Sequence, residues 1–154
     1  MGTIMDTVVQ FMTDNDLHFE ALDDRDAIVS NIQGENANYR VALDVHEEKD
    51  QLLVYTIGQS NVPEPKRHDV AIFLTRANYG LYIGNFELDM GDGEVRYKVA
   101  TDVEGSAVSP TMVGNSISYG IRTFDRYFPG LMAVAFGGAS PEDGIIQVEQ
   151  PDTE

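Results

Sequence analysis

Residues 86–99, FELDMGDGEVRYKV, gather Asp89, Asp92 and Glu94 around two glycines, a density of hard oxygen ligands that would suit calcium or magnesium. A calcium loop beginning at Asp89 needs oxygen ligands at its third and fifth positions and glycine at its sixth. The chain has Gly91, Gly93 and Glu94 there. The metal pattern fails, and strand periodicity accounts for the same residues. Phe86, Leu88 and Met90 share one strand face and Glu87 and Asp89 the other; beyond the turn, Val95, Tyr97 and Val99 alternate with Glu94, Arg96 and Lys98. The stretch reads as a hairpin with Gly91, Asp92 and Gly93 at its tip, and with Glu87 or Asp89 paired across the strands to Arg96 or Lys98.

Other signals for chemistry are thin. His18, His46 and His68 fall in separate segments without HExxH spacing, and the chain has no cysteine to supply a disulfide, a thiolate ligand or a thiol nucleophile. Neither a phosphate-binding loop, a GxGxxG turn nor a complete GxSxG elbow is present; Gly114 to Ser118 lacks the second glycine. The sequence assigns no catalytic, metal-binding or cofactor-binding residue and predicts a chain that is not an enzyme. Residues 122–127, RTFDRY, are more informative. Arg122, Asp125, Arg126 and Tyr127 form a candidate protein-interaction patch, because arginine and tyrosine are enriched at interface hot spots. The structural reading of the same residues is an Arg122–Asp125 pair on the surface of a helix, three positions apart.

The elements that must position these residues follow from hydrophobic spacing. Ile4, Val8, Phe11 and Met12 predict a first helix, opened by a weak capping box of Thr3 and Asp6. Strands are predicted over 27–33, 37–46 and 51–57, with a short addition at 18–22 left open. Val70, Phe73, Leu74 and Ala77 mark a second helix, and the 86–99 hairpin supplies two more strands, over 82–90 and 94–103. Ser109 and Pro110 then open a third helix, whose Val113, Ile117, Ile121, Phe124 and Phe128 share one face, and Pro129 is expected to kink or break it. The order α-β-β-β-α-β-β-α predicts an α+β fold, an antiparallel five-stranded sheet with three helices. At 154 residues it is expected to form a single domain over 1–154, ending in a frayed acidic tail from about residue 139, although Ile145, Ile146 and Val148 could dock.

Charge narrows the partners. Twenty-six acids against ten bases leave a net of −16, a field that repels nucleic acid and anionic lipid. Residues 1–24 hold six acids and residues 127–154 five, with no base in either. Both solubility and attraction of a basic partner are consistent with such ends. With no signal peptide and no run of eighteen apolar residues, the expected location is cytoplasmic, without membrane insertion.

Between residues 62 and 134 several segments occur together: Arg76-Ala77-Asn78, Gly84-Asn85-Phe86-Glu87, Asp92-Gly93-Glu94-Val95-Arg96-Tyr97 and Asp125-Arg126-Tyr127-Phe128-Pro129. In combination they resemble the YbjN family of bacterial proteins, described as regulators of sensory transduction. The resemblance implies a fold like that of type III secretion chaperones, which are small acidic homodimers, and a protein that works by binding other proteins. It carries over no catalytic residue and no cofactor. Three functions follow in order: a regulatory or chaperone-like protein-interaction module; a dedicated secretion-type chaperone for one client; and a ligand-binding or enzymatic domain using a pocket between the third helix and the sheet.

Overall fold

In the computed structural model, which describes residues 2–149, the chain runs through ten α-helices and β-strands, besides single 3-10 turns at Glu47–Lys49 and Glu64–Lys66. These are α1 (Thr3–Asp14), β1 (Glu20–Ala21), β2 (Ala27–Gln33), β3 (Asn38–His46), β4 (Gln51–Ile57), α2 (Arg67–Tyr79), β5 (Asn85–Leu88), β6 (Val95–Asp102), α3 (Pro110–Phe136) and α4 (Pro141–Val148). The class is α+β with an antiparallel sheet, as the spacing predicts. The sheet has six strands rather than five, in the order β1-β2-β3-β4-β6-β5. The addition is β1, where Glu20 pairs with Val29 and Ala21 with Ile28, a strand too short for alternation to announce it.

Alternation along each strand sends one set of side chains beneath the helices. Leu52, Val54 and Thr56 of β4 are buried while Leu53, Tyr55 and Ile57 are only half-buried, and Tyr39, Val41 and Leu43 on β3 lie on the buried side with them. α1 packs on β3, α2 on β5, and α3 on β4 and β6, so all of these helices lie on the same side. Two apolar clusters fill that side: one around Phe73, Phe86, Tyr97, Phe124 and Tyr127, the other around Met12, Val41, Leu43, Leu52 and Val113. Ile121 touches both.

The helix ends show what local pattern misses. The Thr3–Asp6 box does not cap α1. Glu47, just beyond β3, reaches across instead, its two carboxylate oxygens accepting from the amides of Ile4 (2.9 Å) and Met5 (3.2 Å), where the helix dipole also favours a negative charge. α3 begins as expected, with the Ser109 hydroxyl accepting from Met112 N at 3.1 Å and Pro110 at the first helical position. It passes through Pro129 without ending. A fourth helix, α4, replaces the frayed tail. Ser140 caps it, Arg76 pairs with Glu142 at 3.2 Å, and Gly144 lets it lie so close to α3 that a Cβ there would stand 2.6 Å from Val134. Ile145 and Val148 dock on the first cluster while Ile146 stays exposed. Residues 150–154 of the expected tail lie outside the described residues.

The 86–99 hairpin forms in the expected register, Phe86 opposite Tyr97 and Glu87 opposite Arg96, although its strands are shorter than alternation suggests. Asp89 accepts from Gly91 N (2.7 Å) and Asp92 from Glu94 N (2.8 Å), so these carboxylates close the turn, with Gly93 at a φ of 85° that a larger residue rarely adopts. Glu87 accepts from both Arg96 Nε (2.8 Å) and Lys98 Nζ (2.9 Å). Burial pushes the Glu87 carboxyl up, but the hydrogen bonds from Lys98 and Arg96 and their charges outweigh it and hold it below the ordinary glutamate value. A depressed carboxyl adds stability above its unfolded pKa and loses it as pH falls through the folded one. Acid titration of the wild type should therefore show stability falling below about pH 4.3. Glu87→Gln should flatten that part of the profile, as read from urea midpoints between neutral and acid pH.

Candidate functional site

The four patch residues are carried by one turn and a half of α3, and helical geometry separates them. Arg122 and Arg126, four positions apart, stand exposed on one stripe. Tyr127 points into the core, edge-on to Phe86 and Phe73, and its hydroxyl donates to Glu149 at 2.5 Å. Burial, followed by the hydrogen bond to the Glu149 carboxylate and its charge, pushes the Tyr127 phenol well above its ordinary value. Arg126 lies over the Tyr127 ring at 5.3 Å.

Asp125 is the residue that sequence spacing misplaces. The expected surface pair with Arg122 does not form, because Asp125 is turned sideways and buried against the β2–β3 hairpin. Its carboxylate accepts from Glu35 N (2.9 Å), Asn36 N (3.0 Å) and the Tyr39 hydroxyl (2.8 Å). Burial first, then the Asp125 hydrogen bond and charge, pushes the Tyr39 phenol far above its ordinary value. Gly34 is required for the approach: a Cβ there would meet the Asp125 carboxylate at 2.6 Å and the Tyr39 ring at 2.8 Å.

Asp125 also receives a bond on its main chain. In an uninterrupted helix its carbonyl would accept from the amide four residues on, but that residue is Pro129, which has none. The Asn36 side-chain amide takes the vacancy, donating to Asp125 O at 2.9 Å. The proline expected to kink or break the helix is tolerated within it, and the hairpin supplies the missing donor. Asp125 and Pro129, four apart, thus form a single acceptor unit for residues 35–39.

Seating the hairpin on α3 leaves a cleft of about 610 Å³, lined by Gln33, Glu35, Asn36, Ile121, Arg122, Asp125 and Arg126. Around the end of β2, on the side of the sheet that these helices leave open, Arg40 and Ile57 line a second cleft of about 720 Å³. Four of the ten bases form ion pairs with neighbouring acids, Arg25 with Asp44, Arg76 with Glu142, and Arg96 and Lys98 both with Glu87. Arg40, Arg122 and Arg126 form no ion pair among the described residues. His18, His46 and His68 remain on separate elements, and no group of three or more metal-ligating side chains occurs among the described residues.

This arrangement can be set beside known proteins. The family model "YbjN: Putative bacterial sensory transduction regulator" matches residues 5–132. The chain belongs to the YbjN family. The match contains the Asp125-to-Pro129 unit and both exposed arginines. Among solved structures, YbjN from E. coli is similar with a TM-score of 0.60 at 14% identity, over 87% of this chain and 90% of that one. The ExsC–ExsE complex contains a chain that matches with a TM-score of 0.51 at 14% identity, over 80% of this YbjN chain and 91% of that one. These identities establish a shared fold. No curated protein matches in sequence.

Replacing Asp125 by alanine should strand three donors, the amides of Glu35 and Asn36 and the Tyr39 hydroxyl. A cost of about 3 kcal/mol is expected, since each buried unpaired group costs about 1–3 kcal/mol and water reaches the two amides. Urea denaturation of Asp125→Ala checks the value; a change under about 1 kcal/mol would show that the hairpin seat contributes little.

Proposed function

We propose that this YbjN-family chain is a non-enzymatic, cytoplasmic regulatory or chaperone-like module that acts by binding another protein. One observation carries the reading: a turn of α3 and the end of the β2–β3 hairpin are locked together by Asp125, and the lock presents two arginines without ion-pair partners beside a cleft. Arginines held by a rigid helix beside a cleft have the composition of an interface anchor. Family membership supports a regulatory role, and the fold is shared with a chain found in a two-protein complex, ExsC–ExsE. No helix among the described residues is long and apolar enough to cross a membrane, which accords with a partner met in solution. A homodimer and a single domain across the chain belong to the same proposal. A role as a dedicated secretion-type chaperone would be its narrower form.

Native affinity capture at low salt, followed by elution with rising salt, tests the reading. A protein recovered in near-stoichiometric amount and released by salt is the expected result. Recovery of no protein, together with a metabolite that raises the melting temperature of the purified chain, would replace it with a ligand-binding function.

A further inference from the structure

The six-stranded sheet has two edges, and they differ. At the β5 edge the Asn78 side chain from α2 acts as a strand of one residue: its oxygen accepts from Phe86 N at 2.7 Å and its amide donates to Phe86 O at 3.0 Å. The outward-facing backbone at the middle of β5 is thereby occupied. At the other edge β1 pairs with Ile28 and Val29, and the chain just before it runs on beside Ser30, whose hydroxyl donates to His18 O. The hydrogen bonds fix which groups of β2 remain. Asp26 O accepts from Val45 N and Gly34 N donates to Ala37 O, both toward β3, whereas Ala27 O accepts from Leu22 N on the opposite side. Alternation along the unbroken β2–β3 register then turns Asn31 and Gln33 outward, where no strand among the described residues pairs with them.

Unpaired strand edges invite another strand, and proteins commonly blunt them with charge or with a cover. Here the surroundings of the free edge select what would add. Arg122 and Arg126 flank it from the helix side, across the cleft shared with Gln33, and Arg40 flanks it from the open side, in a cleft shared with Asn31 and Gln33. Glu35 at the hairpin tip, Glu20 on β1, and Asp44 and Glu94 in a cleft shared with Arg40 are the nearby acids; Asp44 pairs with Arg25, and the Asp125 carboxylate is already filled by hydrogen bonds from the hairpin. Although the whole chain is strongly negative, charges beyond about 8–10 Å are largely screened at physiological salt, so these arginines set the local preference.

We infer that the free edge of β2 at Asn31 and Gln33 takes an extended acidic segment of a partner protein as an added strand. Arg122 and Arg126 hold the acids on its helix-facing side and Arg40 those on the open side. Main-chain bonds to Asn31 and Gln33 supply the pairing, and the arginines supply the selectivity. This inference rests on the protein-interaction reading and names the partner surface that reading leaves open.

The test uses the full chain labelled for NMR and a synthetic peptide of about six residues, one strand long, in which pairs of glutamates alternate with single valines so that both strand faces carry acid. The expected result is a shift and slowed exchange of the Asn31 and Gln33 amides, with no binding of the peptide in which lysine replaces glutamate. Arg122→Glu combined with Arg126→Glu should weaken binding about tenfold or more, a loss of about 1.4 kcal/mol. Both sites are exposed, so the melting temperature should fall only slightly, through loss of the Arg126 contact with the Tyr127 ring. Asn31→Pro should also abolish binding, because it deletes an outward amide that makes no bond to β3. Undisturbed Asn31 and Gln33 amides, equal binding of the lysine peptide, or full affinity in the arginine double variant would overturn the inference. If native capture still recovers a protein partner whose retention the double variant leaves unchanged, the interaction reading stands and the edge assignment falls.

Discussion

A proline four residues after an aspartate organises this molecule. Pro129 removes the amide that would have satisfied the Asp125 carbonyl, and the freed carbonyl and the carboxylate of the same residue together accept four hydrogen bonds from residues 35–39. A helix and a hairpin about ninety residues apart in sequence are joined at one side chain. The cost of proline inside a helix, about 3 kcal/mol in isolation, is offset in part by a tertiary bond of about 1 kcal/mol that an uninterrupted helix could not make.

Much of the surface follows from that joint. With Asp125 drawn into the hairpin, its neighbours Arg122 and Arg126 are left on the outer stripe of α3, beside the end of β2. Had the surface pair between Arg122 and Asp125 formed, it would have neutralised one arginine and left the hairpin unseated. The two sheet edges are managed by different means. Asn78 blocks β5 with a single amide, while β1 shields only the first half of β2. The rest of β2 lies open beside three arginines that have no ion-pair partner among the described residues.

Local pattern made part of this legible. The helical spacing of Val70, Phe73, Leu74 and Ala77 placed α2, the Ser109-Pro110 start placed α3, and alternation in FELDMGDGEVRYKV placed a hairpin whose charged face pairs Glu87 with Arg96 and Lys98. The misses share a physical cause: each depends on a partner far away in the chain. Glu47 caps α1 from 43 residues on, and the Thr3–Asp6 pattern gave no sign of it. Asp125 read as a surface residue because nothing nearby in sequence shows that Glu35, Asn36 and Tyr39 converge on it. Pro129 read as a kink or a break for the same reason. α4 was missed because a short acidic segment with a central glycine has little helix propensity of its own, and docking against Val134 and Arg76 stabilises it. The Asp125-to-Pro129 spacing was the available clue, since a proline always frees the carbonyl four positions before it.

The joint between Pro129 and Asn36 is best tested by a double-mutant cycle of Asn36→Ala and Pro129→Ala, measured by urea denaturation. In the wild type, Asn36→Ala should cost about 1 kcal/mol, the usual worth of a hydrogen bond to a part-buried carbonyl. In the Pro129→Ala background residue 129 regains its amide and takes the Asp125 carbonyl, so the same substitution should cost almost nothing, and the two changes should couple by about 1 kcal/mol. Equal costs of Asn36→Ala in both backgrounds would mean that proline and hairpin act independently, and would contradict the account.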